Sequence, residues 1–120
     1  MSVNRSYAGQ CHCGAVRFTF ACAEITHAMR CDCSICARKG MVMTDHVIQP
    51  QDMQISDKEG LLSTYQFGSQ TARHHFCSRC GIHTFVETRL NPGCYRVNLG
   101  CVESVDALRL PSDIYPGKSL

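Results

Sequence analysis

Seven cysteines are the residues of this chain best suited to chemistry. They lie in three groups: CHC (Cys11, Cys13), CDCSIC (Cys31, Cys33, Cys36) and CSRC (Cys77, Cys80). Grouped thiols form disulfides, fill a core as small apolar side chains, or bind a metal as thiolates. In CSRC the two sulfurs can curl around one ion, and Gly81 after the second cysteine permits a positive φ. A thioredoxin-like redox pair is the alternative, but no βαβ pattern surrounds the motif. Tetrahedral zinc takes four ligands, and CSRC supplies two of them. Joining it to Cys11 and Cys13 closes a four-thiolate site and leaves Cys31, Cys33 and Cys36 as a set of three. Three protein ligands with one position left for substrate is the build of a catalytic zinc site. Exchange of the sets, or closure of the second site by a dispersed cysteine or a histidine, also satisfies the count.

The bulk properties fit a metal better than disulfides. The 120 residues are one domain's worth and include ten cysteines, with 44% hydrophobic and 18% charged residues. The start, MSVNRSYAGQ, has no apolar signal-peptide centre, so a soluble, cytoplasmic protein is expected. Stable disulfides are rare in that reducing compartment, where clustered cysteines are more often metal ligands. No apolar stretch approaches the roughly 20 residues that span a bilayer. The net charge is only +2, without a long basic run or aromatic–basic interleaving. Neither nucleic acid nor a membrane surface is indicated as a partner, and a small molecule is the expected one.

The elements that must position these cysteines read mostly as short strands. AVRFTF alternates Val16, Phe18 and Phe20 against Arg17 and Thr19, a period of two. MVMTDHVI reads as a second strand, and DMQISDKEGLLSTYQF as strand, turn at Lys58–Gly60, strand. ARHHF and IHTFVE flank the CSRC knuckle as strands, and CYRVNLGCV alternates Tyr95, Val97, Leu99 and Cys101 inward. Helix should be scarce, with one turn over Ser34–Lys39. The expected fold is mainly β, with small sheets organised around metal. Cys101 is then a buried small hydrophobe, while Cys22 and Cys94 lie near turns as free thiols. His12, His74, His75 and His83, beside the cysteine motifs, read as surface or packing residues.

Four segments, GQCHCGAVRF (Gly9 to Phe18), CDCSICARK, FCSRCGIHTF (Phe76 to Phe85) and YRVNLGCVESVD (Tyr95 to Asp106), occur in an order that resembles the glutathione-dependent formaldehyde-activating enzyme family, which also includes centromere protein V. Asp32 stands where members often have His, and Pro116 where the family's aromatic–Asp–Gly ending has Asp. The resemblance implies several small coiled antiparallel sheets in a tent-like arrangement. It also implies two zinc ions per chain. One is structural, on Cys11, Cys13, Cys77 and Cys80. The other is catalytic, on Cys31, Cys33 and Cys36, and binds the glutathione thiol. Thiol addition to a small aldehyde such as formaldehyde would give a hydroxymethyl thioether, the reaction of a carbon–sulfur lyase resembling S-(hydroxymethyl)glutathione synthase. Arg38 and Lys39 follow the second cluster and are the first candidates to pair with glutathione carboxylates, ahead of Arg73 and Arg79. No residue stands out as a general base, although His46 is possible. The competing expectation is a non-catalytic zinc module that carries a thiol or binds a protein.

Overall fold

The computed structural model describes residues 4–68, 72–89 and 91–119. In chain order the strands are β1 (Asn4–Gln10), β2 (Arg17–Ala23), β3 (Ala28–Cys31), β4 (Met43–Thr44), β5 (Met53–Ser56), β6 (Leu62–Tyr65), β7 (Arg73–Cys77), β8 (His83–Glu87), β9 (Tyr95–Val97) and β10 (Ser112–Tyr115). One short helix, α1 (Ser34–Lys39), lies between β3 and β4. The strands form three small sheets, ordered β1-β2-β5, β10-β3-β4 and β6-β7-β8-β9. This is the mainly β architecture expected, with one departure: β10 runs parallel to β3, whereas all other pairs are antiparallel. Among the described residues no helix is long and apolar enough to cross a membrane.

The period-two alternation of β2 works as read: Phe18, Phe20 and Cys22 turn inward and are buried. Cys22 is therefore a core residue in a strand, not a thiol near a turn. β8 is buried along its middle, at Thr84, Phe85 and Val86. Successive side chains of a strand point to opposite faces, and β8 separates two apolar regions accordingly. Phe85 joins the main core with Phe18, Ile48, Val97 and Leu99, while Val86 packs with Cys36, Met41 and Met43. A third, smaller cluster holds Cys11, Val16 and Cys77.

Two expected strands are shorter than their apolar patterns. MVMTDHVI contributes only Met43–Thr44, because Arg96 Nη1 donates to the Thr44 and Asp45 carbonyls at 2.8 and 3.0 Å. CYRVNLGCV is strand only over Tyr95–Val97. There the Asn98 side chain accepts from Gly100 N at 3.0 Å and donates to His83 O at 2.7 Å, turning the chain into a 3₁₀ turn over Leu99–Cys101. Cys101 sits in that turn, packed against the core.

Phe85 is the keystone of the main core. It is fully buried and meets Phe18 and Tyr95 edge-on, with centroids 5.6 and 5.4 Å away. Phe85→Ala should cost about 3–5 kcal/mol of stability. The check is a lowered denaturant midpoint at unchanged slope.

Candidate functional site

Two turns from different sheets bring four sulfurs together. The β1–β2 turn carries Cys11 and Cys13, and the β7–β8 turn carries Cys77 and Cys80. In each, the first cysteine's N–H reaches a carbonyl five residues on: Cys11 to Val16 at 3.0 Å and Cys77 to Ile82 at 3.0 Å. Each turn also passes through a glycine at positive φ, Gly14 at 80° and Gly81 at 77°. All four Sγ atoms lie within 4.8 Å of one another. Cys13 Sγ is 3.6 Å from Cys11 Sγ and 3.7 Å from Cys77 Sγ. Four sulfurs about 2.3 Å from a central zinc would be about 3.8 Å apart at the edges of the tetrahedron, so the donor set fits that ion.

Cys13 and Cys80 are pushed in opposite directions by their shared surroundings. Burial opposes ionisation of Cys80, yet the N–H groups of Ile82 and Cys13 and the Cys77 and Cys11 thiols bring it down to about 6. The Ala15 N–H favours the Cys13 thiolate, but burial and the three neighbouring sulfurs outweigh it and push Cys13 up to about 11. Adding a second negative charge to this cluster is what a divalent cation would make favourable.

The second group comes from one local segment. Cys31 ends β3, Cys33 caps α1 and Cys36 lies inside it; their Sγ atoms are also within 4.8 Å of one another. Cys33 Sγ accepts from Cys36 N at 3.4 Å, so helix capping and sulfur placement are one feature. Gly40, at φ 64°, closes the helix by donating to Cys36 O at 3.1 Å. Burial pushes the Cys36 thiol well above its ordinary value, although Lys39 pulls the other way.

This trio opens into a cavity of about 450 Å³. Met29, Phe67 and Val86 give it an apolar wall, and Arg89, Arg96 and Lys118 bring cations to it. Its other wall is the end of the chain. Asp32 N donates to Tyr115 O at 3.2 Å, and Asp32 Oδ1 accepts from Lys118 N at 3.0 Å. Asp32 thus fastens the tail across the sulfurs. Between these two bonds lies Gly117, where a Cβ would collide with Cys31 Sγ and approach Cys33 Cβ to 3.0 Å.

Arg38 and Lys39 do not line this cavity. They border a neighbouring hollow with Tyr65, Phe67 and His83. Arg38 Nη1 donates to Ser34 O at 2.9 Å, and Lys39 Nζ donates to His74 Nδ1 at 3.1 Å. Arg73 faces Glu87 at 3.9 Å and Arg79 pairs with Glu59 at 2.7 Å, both outside the cavity. His46 lies 3.5 Å from Asp45 and does not line it either. The residues missed from the sequence are Arg89, Arg96, Gly117, Lys118 and His74. A row across the four-stranded sheet explains two of them. Tyr65 pairs with His74, His74 with Val86 and Val86 with Arg96, so all four share the face turned to the trio. That signal needs strand register, which one sequence does not supply.

The sequence profile of the glutathione-dependent formaldehyde-activating enzyme family matches residues 6–118. This chain belongs to that family. The crystal structure of a Rhodobacter sphaeroides protein superposes with a TM-score of 0.78, at 36% sequence identity, over 88% of this chain and 99% of that one. The family match spans both sulfur groups and the tail segment that covers the trio.

Gly117→Ala should push the tail off Cys31. The expected result is faster amide exchange at Asp32 and Tyr115–Lys118, by about ten-fold or more, with β2 unchanged. Hydrogen-exchange mass spectrometry on the two proteins makes the comparison.

Proposed function

We propose that this protein joins the thiol of glutathione to formaldehyde at the Cys31–Cys33–Cys36 site, as a carbon–sulfur lyase of the S-(hydroxymethyl)glutathione synthase type. The observation that carries this reading is a set of three sulfurs with an open side facing a cavity of about 450 Å³. In this reading Cys11, Cys13, Cys77 and Cys80 hold a structural zinc, and the trio holds a catalytic one. Zinc held by the trio would supply the Lewis acidity that lets a thiol lose its proton at neutral pH.

The chain's own groups do the rest. The apolar wall of Met29, Phe67 and Val86 excludes water from one side of the reacting sulfur. Glutathione carries two carboxylates, and their partners in this reading are Arg89 and Lys118, which line the cavity, with Arg38 and Lys39 in the neighbouring hollow. Asp32 and Gly117 keep the tail closed over the sulfurs, which fixes where the bound thiol can point. All ten cysteines are free, a state suited to a reducing compartment such as the cytoplasm.

The two sulfur groups should respond differently to mutation. Cys80→Ser is expected to impair folding, since structural zinc supplies on the order of 10 kcal/mol. Cys33→Ser is expected to fold, lose one of two zinc equivalents and lose glutathione affinity. Elemental analysis, a glutathione titration and formaldehyde turnover corrected for the uncatalysed rate are the measurements. Unchanged metal content and affinity in Cys33→Ser would refute the assignment. Tight glutathione binding without turnover would make the protein a thiol carrier instead.

A further inference from the structure

The cavity has a hydrogen-bond donor built for an oxygen atom, and it is not a cysteine. His74 sits on β7 in the cross-strand row that faces the trio, directly beside Val86, and both residues line the cavity. Its ring is buried, 4% exposed, and stacks on Phe67 with centroids 5.9 Å apart and planes 26° apart. The stacking fixes the ring plane, and the contact with Lys39 fixes the rotation within it.

Lys39 Nζ lies 3.1 Å from His74 Nδ1. An ammonium has donors and no acceptor, so Nδ1 must be the acceptor of this bond. A ring that accepts at Nδ1 is neutral and carries its proton on Nε2. Burial works in the same direction, holding His74 down to about 4, with Lys39 and two other histidines adding to the effect. His74 lines the cavity and Lys39 does not, so the Nδ1 edge is turned to Lys39 and the Nε2–H edge is the one left for the cavity. Lys39 follows Cys36 by three positions on α1, so the element that presents the sulfurs also sets the tautomer.

We propose that His74 Nε2–H is a catalytic hydrogen-bond donor to the aldehyde oxygen, with Lys39 as the positioning residue that fixes its tautomer. The inference rests on the thiol–aldehyde reading above. In the step it serves, the S–C bond forms and the C=O π pair moves onto oxygen. The thiol's proton goes to water, and a proton from water completes the hydroxyl. His74 keeps its own proton throughout, and no electrons are exchanged. A neutral donor placed beforehand stabilises the growing charge on oxygen without reorganising as it forms.

The test uses the zinc-loaded full chain and three variants. Nitrogen-15 NMR of the His74 ring should show Nε2 protonated and Nδ1 bare in the wild-type protein, and mixed tautomers in Lys39→Met. His74→Phe keeps the stacking surface but removes the donor. It should lower background-corrected kcat by about ten-fold or more, with glutathione affinity and zinc content held within about two-fold. His74→Gln, whose amide N–H can occupy the place of Nε2–H, should recover part of that loss. A wild-type ring protonated at Nδ1, or full turnover in His74→Phe, overturns the proposal. No turnover in the wild-type protein would sink the thiol–aldehyde reading and this step together. Normal wild-type turnover with an unaffected His74→Phe sinks this step alone.

Discussion

Sulfur atoms held within 4.8 Å of one another are the constraint around which this molecule is organised. Thiolates at that spacing repel one another strongly in a partly buried setting, so they stay protonated or share a cation. The chain brings four to one place at the cost of joining turns 64 residues apart. A cross-link that closes a loop of that length removes about 4 kcal/mol of unfolded-state entropy from the balance. The need is plain from the sheets, which have three or four strands each. Beyond their own ladders they share the main core, and isolated bridges such as Gly9 to Val102, Met43 to Asn98 and Ile48 to Tyr95 pin single strand residues to neighbouring segments. Cys11, Val16 and Cys77 form a small buried cluster of their own at the junction of two of these sheets.

The second sulfur group has the same donor chemistry and a different mechanical meaning. Its three members come from one stretch at the end of β3 and the start of α1, so it can cross-link almost nothing. Its placement instead depends on neighbours: β8 behind it through Val86, β4 through Met43, and the tail in front. β8 therefore has two duties. Phe85 on one face anchors the core, and Val86 on the other supports the trio. Motion of the trio relative to the core is limited by the stiffness of one buried strand. Groups meant to meet a substrate benefit from being mounted on a rigid element in this way.

Much of this was legible in the sequence, and the limits have physical causes. Cysteine spacing is local and chemically narrow, so the three sequence clusters were plain, while their division into a four and a three was one of several groupings that the count allowed. The strands beside the CSRC knuckle and the alternation of Phe18 and Phe20 were equally plain. β1 and β10 were harder, because their residues are mostly exposed and carry no clean alternation. β1 is held by pairing with the next strand, β2, whereas β10 depends on β3, far earlier in the chain. Arg96 reads as one polar position of a strand, yet its side chain shortens β4 by taking two carbonyls. Gly117 reads as an ordinary turn glycine, and its importance comes from a sulfur 86 positions earlier in the chain, the same separation that Lys118 and Asp32 bridge. The placement of Arg38 and Lys39 beside rather than within the cavity follows from their partners: Arg38 reaches back to Ser34 O, and Lys39 is held by His74.

The cations show how the site balances its charge. Lys39 and Arg96 are the basic side chains that burial disfavours most clearly, and both are drawn down by it. Each also feels the trio. Cys36, Cys33 and Cys31 favour charged Lys39, and Asp45, Tyr115 and Cys31 favour charged Arg96. Buried charge is tolerated only when it is paired and hydrogen-bonded. Lys39 meets that condition through His74, and Arg96 through two backbone carbonyls. Arg96 also has the Asp45 carboxylate to support its charge, whereas the groups that support Lys39 are the three thiols themselves. The two half-buried cations thus flank the sulfurs as fixed background charge. Arg89 and Lys118 line the same cavity from its exposed side. The cavity thus combines a positive rim with a sulfur cluster that has two further cations behind it.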